Sequence, residues 1–193
     1  MKIFDPVLYT KALQTHYENY FETASIKHTW NNGPVEKLNP TFAVLEFPPN
    51  NKHQMWTYCS SGMSVDKLDN NLIELFIFSP ISDSSLVELI TVCASYHRTS
   101  LPLKIHDTVN IGKSWLANSE CDHGFISLPY LDGEELEIFK FDEETIHCYW
   151  LIPITEKERD YKIENGYESL EQLFEEKQIN YLDPNRPCLI ADA

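Results

Sequence analysis

The 193-residue chain is strongly acidic, because 30 aspartates and glutamates against 15 lysines and arginines give a formal net charge of −15. This charge repels the phosphate backbone of nucleic acids, so direct binding to nucleic acid is disfavoured. No apolar run approaches the ~20 residues that span a bilayer, and the start of the chain lacks the apolar core of a signal peptide, so we expect a cytoplasmic protein without membrane contact.

The first elements along the chain are a helix and three strands. Asp5 followed by Pro6 suits a helix start, and the apolar residues that follow recur at spacings of three and four, which predicts an N-terminal helix. Strands are expected at the aromatic and β-branched segments 42–47, 55–60 and 72–79, the first of which should begin the sheet. The third strand is apolar on both faces except at Glu74, a composition typical of a central strand.

A middle helix is predicted over residues 83–98, where Ser85 and Glu88 have the spacing of a capping box. Residues 99–122 show little periodicity. Alternation then favours three strands, separated by turn-forming residues, at 124–128, 136–141 and 146–152.

Two short helices are expected at the end of the chain. Thr155 and Glu158 form a second candidate capping box, and Gly166 separates the helix that they begin from a later amphipathic one. The predicted fold class is α+β, with a mainly antiparallel or mixed central sheet and helices packed on it. We expect one compact domain over residues 1–193, in which 1–25 form the N-terminal helix, 40–153 the sheet with one middle helix, and 154–193 the C-terminal helices and tail.

Four short motifs occur along the chain in a fixed order: Gly62-Met63-Ser64, Ile73-Glu74-Leu75, the Thr155, Glu158 and Tyr161 pattern, and Asp183-Pro184-Asn185-Arg186. In this order they resemble the suppressor of fused (SUFU-like) domain family, most closely its compact bacterial members, over roughly residues 40 to 190. The resemblance implies a protein-binding domain and brings no known catalytic group with it. Many bacterial relatives are understood to be immunity proteins that neutralise a toxin encoded beside them, whereas the animal relative holds a transcription factor and carries a second lobe.

The strongest local charge lies between residues 120 and 144, a segment that contains nine acidic residues and one basic residue, Lys140. Such a segment is either a solvated rim of turns or a surface that steers a basic partner, with nearby apolar residues as anchors. The candidate partner-binding residues are Tyr130, Leu131, Asp132, Glu134, Glu135, Glu137, Asp142, Glu143 and Glu144.

Other polar residues are candidates for chemistry or for structure. Cys93 and His97 lie one helical turn apart, but no second ligand pair at standard spacing supports a metal site, so we expect no metal and no cofactor. A thiol- or metal-dependent hydrolase could use the groups in His106-Asp107 and Cys121-Asp122-His123, although a nucleophile turn is missing. We assign structural roles to Thr155, Glu158 and Glu74, the last paired with Arg98 or with backbone N–H groups.

The leading hypothesis is a non-enzymatic immunity protein with no catalytic residues, which binds a cognate and basic, nuclease-type toxin and blocks it by occlusion. One alternative is the small metal- or thiol-dependent hydrolase. The other is a regulator that sequesters a transcription factor or another protein. The oligomeric state is left open by the sequence.

Overall fold

The computed structural model describes residues 4–33, 35–67, 69–99 and 102–190. Within them the helices are α1 (Pro6–Phe21), α2 (Ser84–Thr99), α3 (Glu134–Glu137), α4 (Glu156–Asn165) and α5 (Tyr167–Lys177). The strands are β1 (Ile26–His28), β2 (Ala43–Phe47), β3 (Trp56–Ser61), β4 (Ile73–Ser79), β5 (Thr108–Asn110), β6 (Cys121–Ser127), β7 (Ile138–Phe141) and β8 (Glu144–Thr155). None of the described helices is long and apolar enough to cross a membrane.

The chain divides into two compact units. The first contains Met1–Ile105 and Leu128–Trp150, and the second contains His106–Ser127 and Leu151–Ala193, so the long strand β8 contributes to both. The expectation of one domain over residues 1–193 stays a prediction.

In the first unit the strands follow the order β1-β2-β3-β4-β8, with β7 also paired to β8. β4 and β8 are parallel, whereas β2 pairs antiparallel with β1 and with β3, and β3 pairs antiparallel with β4. The sheet is therefore mixed, and the predicted α+β class is confirmed. Every residue of β4 is buried, as expected of a central strand.

Helix α1 packs within the first unit through a mainly aromatic face. Its N-terminus is capped by Asp5, whose carboxylate accepts from the N–H groups of Val7 and Leu8 at 2.9 and 3.0 Å. The buried residues of the helix recur every four positions and are Tyr9, Leu13, Tyr17 and Phe21. The ring of Tyr9 packs edge-on against Phe139 of β7. The helix therefore covers the strand that follows α3.

Glu74 is completely buried in β4 and is surrounded by neutral donors. Its Oε1 accepts from the hydroxyl of Tyr9 at 2.8 Å and from the N–H groups of Gly62 and Ser64 at 3.3 and 3.1 Å. Its Oε2 accepts from the hydroxyl of Ser60 at 2.5 Å. The predicted pairing with Arg98 is wrong, because that guanidinium donates to the carbonyls of Lys37 and Val65. The predicted backbone N–H donors are present.

The turn that reaches Glu74 requires glycine at position 62. Gly62 has φ of +108°, and a Cβ there would lie 3.3 Å from both the Cα of Phe42 and the Cγ2 of Thr10. A larger residue would be strained and crowded, and the N–H that donates to Glu74 would shift with the backbone.

The second unit places α4 and α5 beside β6 and the end of β8. Phe174 of α5 packs edge-on against Phe125 of β6. Gly124 allows close packing here, since a Cβ at this position would lie only 2.7 Å from Cδ1 of Leu151.

The capping box at the start of α4 is present and is completed by the tail of the chain. Thr155 Oγ1 accepts from the N–H of Glu158 at 3.3 Å, and Glu158 Oε2 accepts from the N–H of Thr155 at 3.0 Å. Arg186 donates to both carboxylate oxygens of Glu158, at 2.6 and 2.8 Å, and to the carbonyl of Pro153 at 3.1 Å. The Glu158 carboxylate is thus buried with a bidentate cationic partner.

Four details of the predicted elements were wrong. β1 precedes the expected start of the sheet, and β5 lies in the segment 99–122 that showed no periodicity. The strand expected at 136–141 begins with the one-turn helix α3. At the start of α2, Asp83 Oδ1 accepts from the N–H of Ser85 at 2.8 Å, so Asp83 provides the cap and Ser85 lies inside the helix.

Loss of the Arg186 side chain should destabilise the protein strongly, because Glu158 would remain buried without its cation. We expect Arg186→Ala to lower the free energy of unfolding by about 3–5 kcal/mol. The control is Lys52→Ala, which removes an exposed pair with Glu22 and should cost at most ~1 kcal/mol. Urea denaturation at neutral pH measures both. Equal and small losses for the two variants would contradict this role of Arg186.

The Glu74 carboxyl should give the protein a specific pH dependence. Burial, opposed by the Ser60, Ser64 and Tyr9 donors, raises its pKa above 4.5 in the folded state. The native state then binds this proton more tightly than the unfolded state, so the stabilising contribution is complete below pH 4.5 and is lost as pH rises through the folded pKa.

Glu74→Gln removes this titration. The free energy of unfolding of the wild-type protein, relative to the variant, should therefore fall as pH rises from about 4 to about 8. Glu36→Gln alters an exposed side chain and should show no such slope. Urea titrations across this range provide the measurement, and a difference that grows with pH would refute the assignment.

Candidate protein-binding surface

Two large apolar side chains are exposed on the turn before α3. Tyr130 is 56% exposed and Leu131 is 72% exposed. The turn is closed by hydrogen bonds from the N–H groups of Asp132 and Gly133 to the carbonyl of Pro129, at 2.9 and 2.8 Å. Gly133 has φ of +74°, a value that favours glycine where the chain enters α3. The backbone thus holds the two apolar side chains outward in a defined turn.

The same turn is fastened to α1 through Asp132. This side chain is half-buried, and its Oδ1 accepts from the hydroxyl of Tyr20 at 2.8 Å. Burial and then the neighbouring Asp132 carboxylate raise the pKa of Tyr20, so the phenol stays protonated and donates at physiological pH. Burial also raises the pKa of Asp132. Asp132 therefore supports the turn, and only part of its side chain faces solvent.

Glu134 and Glu135 are exposed on α3, directly after the apolar turn. The third glutamate of this helix, Glu137, is half-buried and accepts from Nδ1 of His147 at 3.0 Å. The carbonyl of Leu136 lies 3.3 Å from Nε2 of His16 on α1. α3 is consequently held by contacts at its buried side and presents two carboxylates at its other side.

The remaining candidate acids lie on a separate turn. Asp142 and Glu143 join β7 to β8 with φ of +53° and +71°, and both are exposed, as is Glu144 at the start of β8. Positive φ at both central residues is the geometry of a tight hairpin turn. The four residues of β7 separate this turn from α3 by about 13 Å of extended chain.

The structure thus brings the candidate residues together as two groups. Residues 130–137 form one continuous group, which we call the loop–α3 surface, and residues 142–144 form the hairpin turn. Between them lies the exposed Lys140. Since exposed charges are screened beyond roughly 8 Å at physiological ionic strength, the two groups act largely as separate fields.

The Cys93 and His97 pair on α2 lies in the core of the first unit. Burial raises the pKa of the Cys93 thiol to about 12. Nδ1 of His97 accepts from the N–H of Leu103 at 2.9 Å, which gives this ring nitrogen a structural partner. Among the described residues, no group of three histidine, cysteine, aspartate or glutamate side chains has an arrangement that could hold a metal ion.

The histidine and cysteine candidates of the second unit serve separate contacts. His106 stacks on Tyr167 with ring centroids 3.5 Å apart. Burial raises the pKa of the Cys121 thiol to about 11, although the charge of Arg186 opposes this rise. His123 lies on the same strand, and its Nδ1 is 2.7 Å from the Asp122 carboxylate. The thiol therefore lacks the lowered pKa of an activated nucleophile.

Two side chains that matter for these sites were missed by sequence reasoning. Tyr20 lies at a position of the helical stripe that predicts α1, and nothing in the sequence indicates that its hydroxyl contacts the distant Asp132. Arg186 belongs to the Asp183-Pro184-Asn185-Arg186 motif, but the motif does not indicate that it pairs with Glu158.

Comparison with known proteins identifies the family of the chain. The model of the family described as suppressor of fused protein (SUFU) matches residues 39–187, which is most of the chain. The chain belongs to the suppressor of fused family. No curated protein matches it in sequence. The matched range includes Glu74, Glu158 and Arg186, together with the loop–α3 surface.

Solved structures of SUFU proteins show how far this likeness extends. A SUFU homolog from Neisseria gonorrhoeae is 32% identical, with a TM-score of 0.84, and the match covers 97% of this chain and 100% of that protein. Drosophila Suppressor of Fused is 14% identical with a TM-score of 0.68, and 95% of this chain spans about half, 51%, of its length. A structure of the Sufu–Fu complex matches with 12% identity and a TM-score of 0.66, over 86% of this chain and 83% of that one. At such low identity the last two show the shared fold alone.

Proposed function

We propose that the protein is a cytoplasmic immunity protein, which binds a basic toxin through the loop–α3 surface and blocks it by occlusion, without catalysing a reaction. The observation that carries this proposal is the exposed pair Tyr130 and Leu131, placed next to Glu134 and Glu135 on a turn fastened by Asp132. Membership of the suppressor of fused family supports a protein-binding role, since one relative was solved as a Sufu–Fu complex.

The apolar pair supplies the stabilising contact of the proposed complex. The exposed parts of these adjacent tyrosine and leucine side chains are buried only when a partner covers them. Because hydrogen bonds to Pro129 and Tyr20 already fix the turn, its backbone loses little conformational freedom on binding. This preorganisation favours slow dissociation.

The carboxylates supply the attraction at longer range. A basic toxin that acts on nucleic acid carries a surface complementary to phosphates, and Glu134 and Glu135 present negative charge beside the apolar anchors. The hairpin turn adds a second negative group about 13 Å away along β7, within the span of a protein interface. An acidic inhibitor of this kind occupies the surface that the substrate of the toxin would use.

The same surface is suited to sequestering a regulatory protein. The surface would be complementary to a basic toxin and to a basic regulatory protein in the same way. Only the identity of the partner distinguishes the two functions. We expect the product of the gene beside this one to be the partner. The test is co-expression of the two proteins, with survival of the cells and co-elution at about 150 mM salt as readouts. Survival without a complex, or a complex without protection, would contradict neutralisation by occlusion.

Reversal of the acidic groups should slow formation of this complex. In the variant Glu134→Lys, Glu135→Lys, Asp142→Lys and Glu143→Lys, association at low salt should be about 10–100-fold slower and should depend less on salt concentration. Leu131→Ser should instead raise the dissociation rate, because it removes an apolar anchor. Stopped-flow or surface-binding kinetics measure both rates.

The matched control reverses four exposed glutamates elsewhere, namely Glu36, Glu164, Glu168 and Glu175. It changes the net charge by the same amount and leaves the loop–α3 surface intact. A control that slows association as much as the test variant would show that net charge alone acts. An unchanged rate in the test variant would place the interface on another surface.

A further inference from the structure

A cavity of about 360 Å³ in the first unit is lined mainly by cationic and hydrogen-bond-donating side chains. It lies where the segment after β3 meets the end of α2. The lining residues are Lys37, Asp66, Lys67, Asp69, His97, Arg98 and Pro102. Three of these seven residues are bases, although the chain as a whole has twice as many acids as bases.

The two carboxylates of the cavity already have partners. Asp69 accepts from the largely buried ammonium of Lys67 at 3.2 Å. Asp66 Oδ2 accepts from the side-chain amide of Asn39 at 2.7 Å. These contacts reduce the capacity of the carboxylates to hold a cation, and they leave the donors of the cavity as its main chemical feature.

The guanidinium of Arg98 is oriented by the backbone. Its Nε donates to the carbonyl of Lys37 at 3.0 Å, and its Nη1 donates to the carbonyl of Val65. Lys37 and Arg98 thus contribute two cationic groups to the lining, and the guanidinium of Arg98 is held in position.

His97 also lines this cavity and carries a buried ring donor. The residue is only 1% exposed, and its Nδ1 accepts from the N–H of Leu103, so the neutral ring carries its proton on Nε2. Nε2 is buried and no acceptor among the described residues has hydrogen-bonding geometry to it, although the backbone of Asn71 is near enough to the ring to act on its pKa. An unpaired buried donor costs about 1–3 kcal/mol, and an oxygen atom of a bound anion would remove this cost.

The ring remains a neutral donor near pH 7. Burial lowers the pKa of His97 to about 4, and the charge of Lys67 acts in the same direction, while Asp69 and the Asn71 backbone oppose it. Protonation of Nδ1 would in addition break the hydrogen bond from Leu103. The donor on Nε2 is thus set by the fold.

We propose that this cavity binds a phosphate group through Lys37, Arg98 and Nε2–H of His97. Arginine and lysine are the residues that most often bind phosphate, and a buried N–H adds a directional hydrogen bond. The cavity is larger than a phosphate ion, so it can also admit the phosphate group of a phosphorylated side chain. The ligand is therefore either inorganic phosphate or a phosphorylated side chain. This inference does not rest on the proposed immunity function.

The test is calorimetric titration of the full chain at pH 7.5 with inorganic phosphate and, separately, with a short phosphoserine peptide, chloride being used to keep the ionic strength constant. We expect saturable binding of at least one of them. Lys37→Ala should weaken this binding roughly tenfold, because it removes one charge-assisted contact. Lys37 is exposed, so the variant is expected to fold, and circular dichroism verifies this.

Lys11→Ala is the matched control, since it removes an exposed lysine from α1, outside the cavity. Its phosphate affinity should equal that of the wild-type protein. A nitrogen NMR spectrum should also show a shift of the His97 Nε2 resonance on addition of phosphate.

Tighter binding of the peptide would identify a phosphorylated side chain as the source, whereas equal or tighter binding of inorganic phosphate would identify the free anion. Absence of binding by both probes, or equal weakening by the two lysine variants, would overturn the proposal.

Discussion

The constraint that organises this structure is the requirement that a buried carboxylate be surrounded by donors. Glu74 in the first unit and Glu158 in the second are both fully buried, but they meet the requirement differently. Glu74 gathers neutral O–H and N–H groups from α1, β3 and the turn after β3, and its pKa is raised by burial. Glu158 receives a bidentate arginine from the tail. Each carboxylate thus fixes segments that the backbone ladders of the sheet alone would not position.

This constraint explains which parts of the sequence carry the family resemblance. The Gly62-Met63-Ser64 and Ile73-Glu74-Leu75 motifs meet at the first carboxylate, and the capping box meets Arg186 at the second. The motifs therefore describe how the two units are built. None of them lies in the loop–α3 surface, which we propose as the binding surface. A family can keep such a scaffold while the partner-binding residues differ from one member to another.

The long elements were predictable from the sequence because each spans several periods of its pattern, as in α1, α2 and β4. The three-residue strands β1 and β5 were not predictable, since three residues contain too little alternation to separate a strand from a loop. The partners of individual side chains were the feature least predictable from the sequence. Tyr9 and Glu74 lie 65 positions apart, and Glu158 and Arg186 lie 28 positions apart, so only the folded chain reveals these pairs. The candidate surface was predictable as an acidic segment, but its division into two groups depends on α3, which the sequence pattern did not predict.

The distribution of charge gives the two proposed sites opposite roles. The loop–α3 surface presents carboxylates around an apolar pair, and exposed charge of this kind acts mainly on the rate of encounter. The cavity beside α2 instead has a few cationic groups and a histidine with a buried donor in its lining, which would contact a ligand directly. In a protein with a net charge of −15, the general field repels a phosphate group, so any such ligand must be held by contacts at short range. The oriented guanidinium of Arg98 and the fixed tautomer of His97 would provide contacts of this type. Anions that cannot make these contacts are repelled by the net negative charge of the protein.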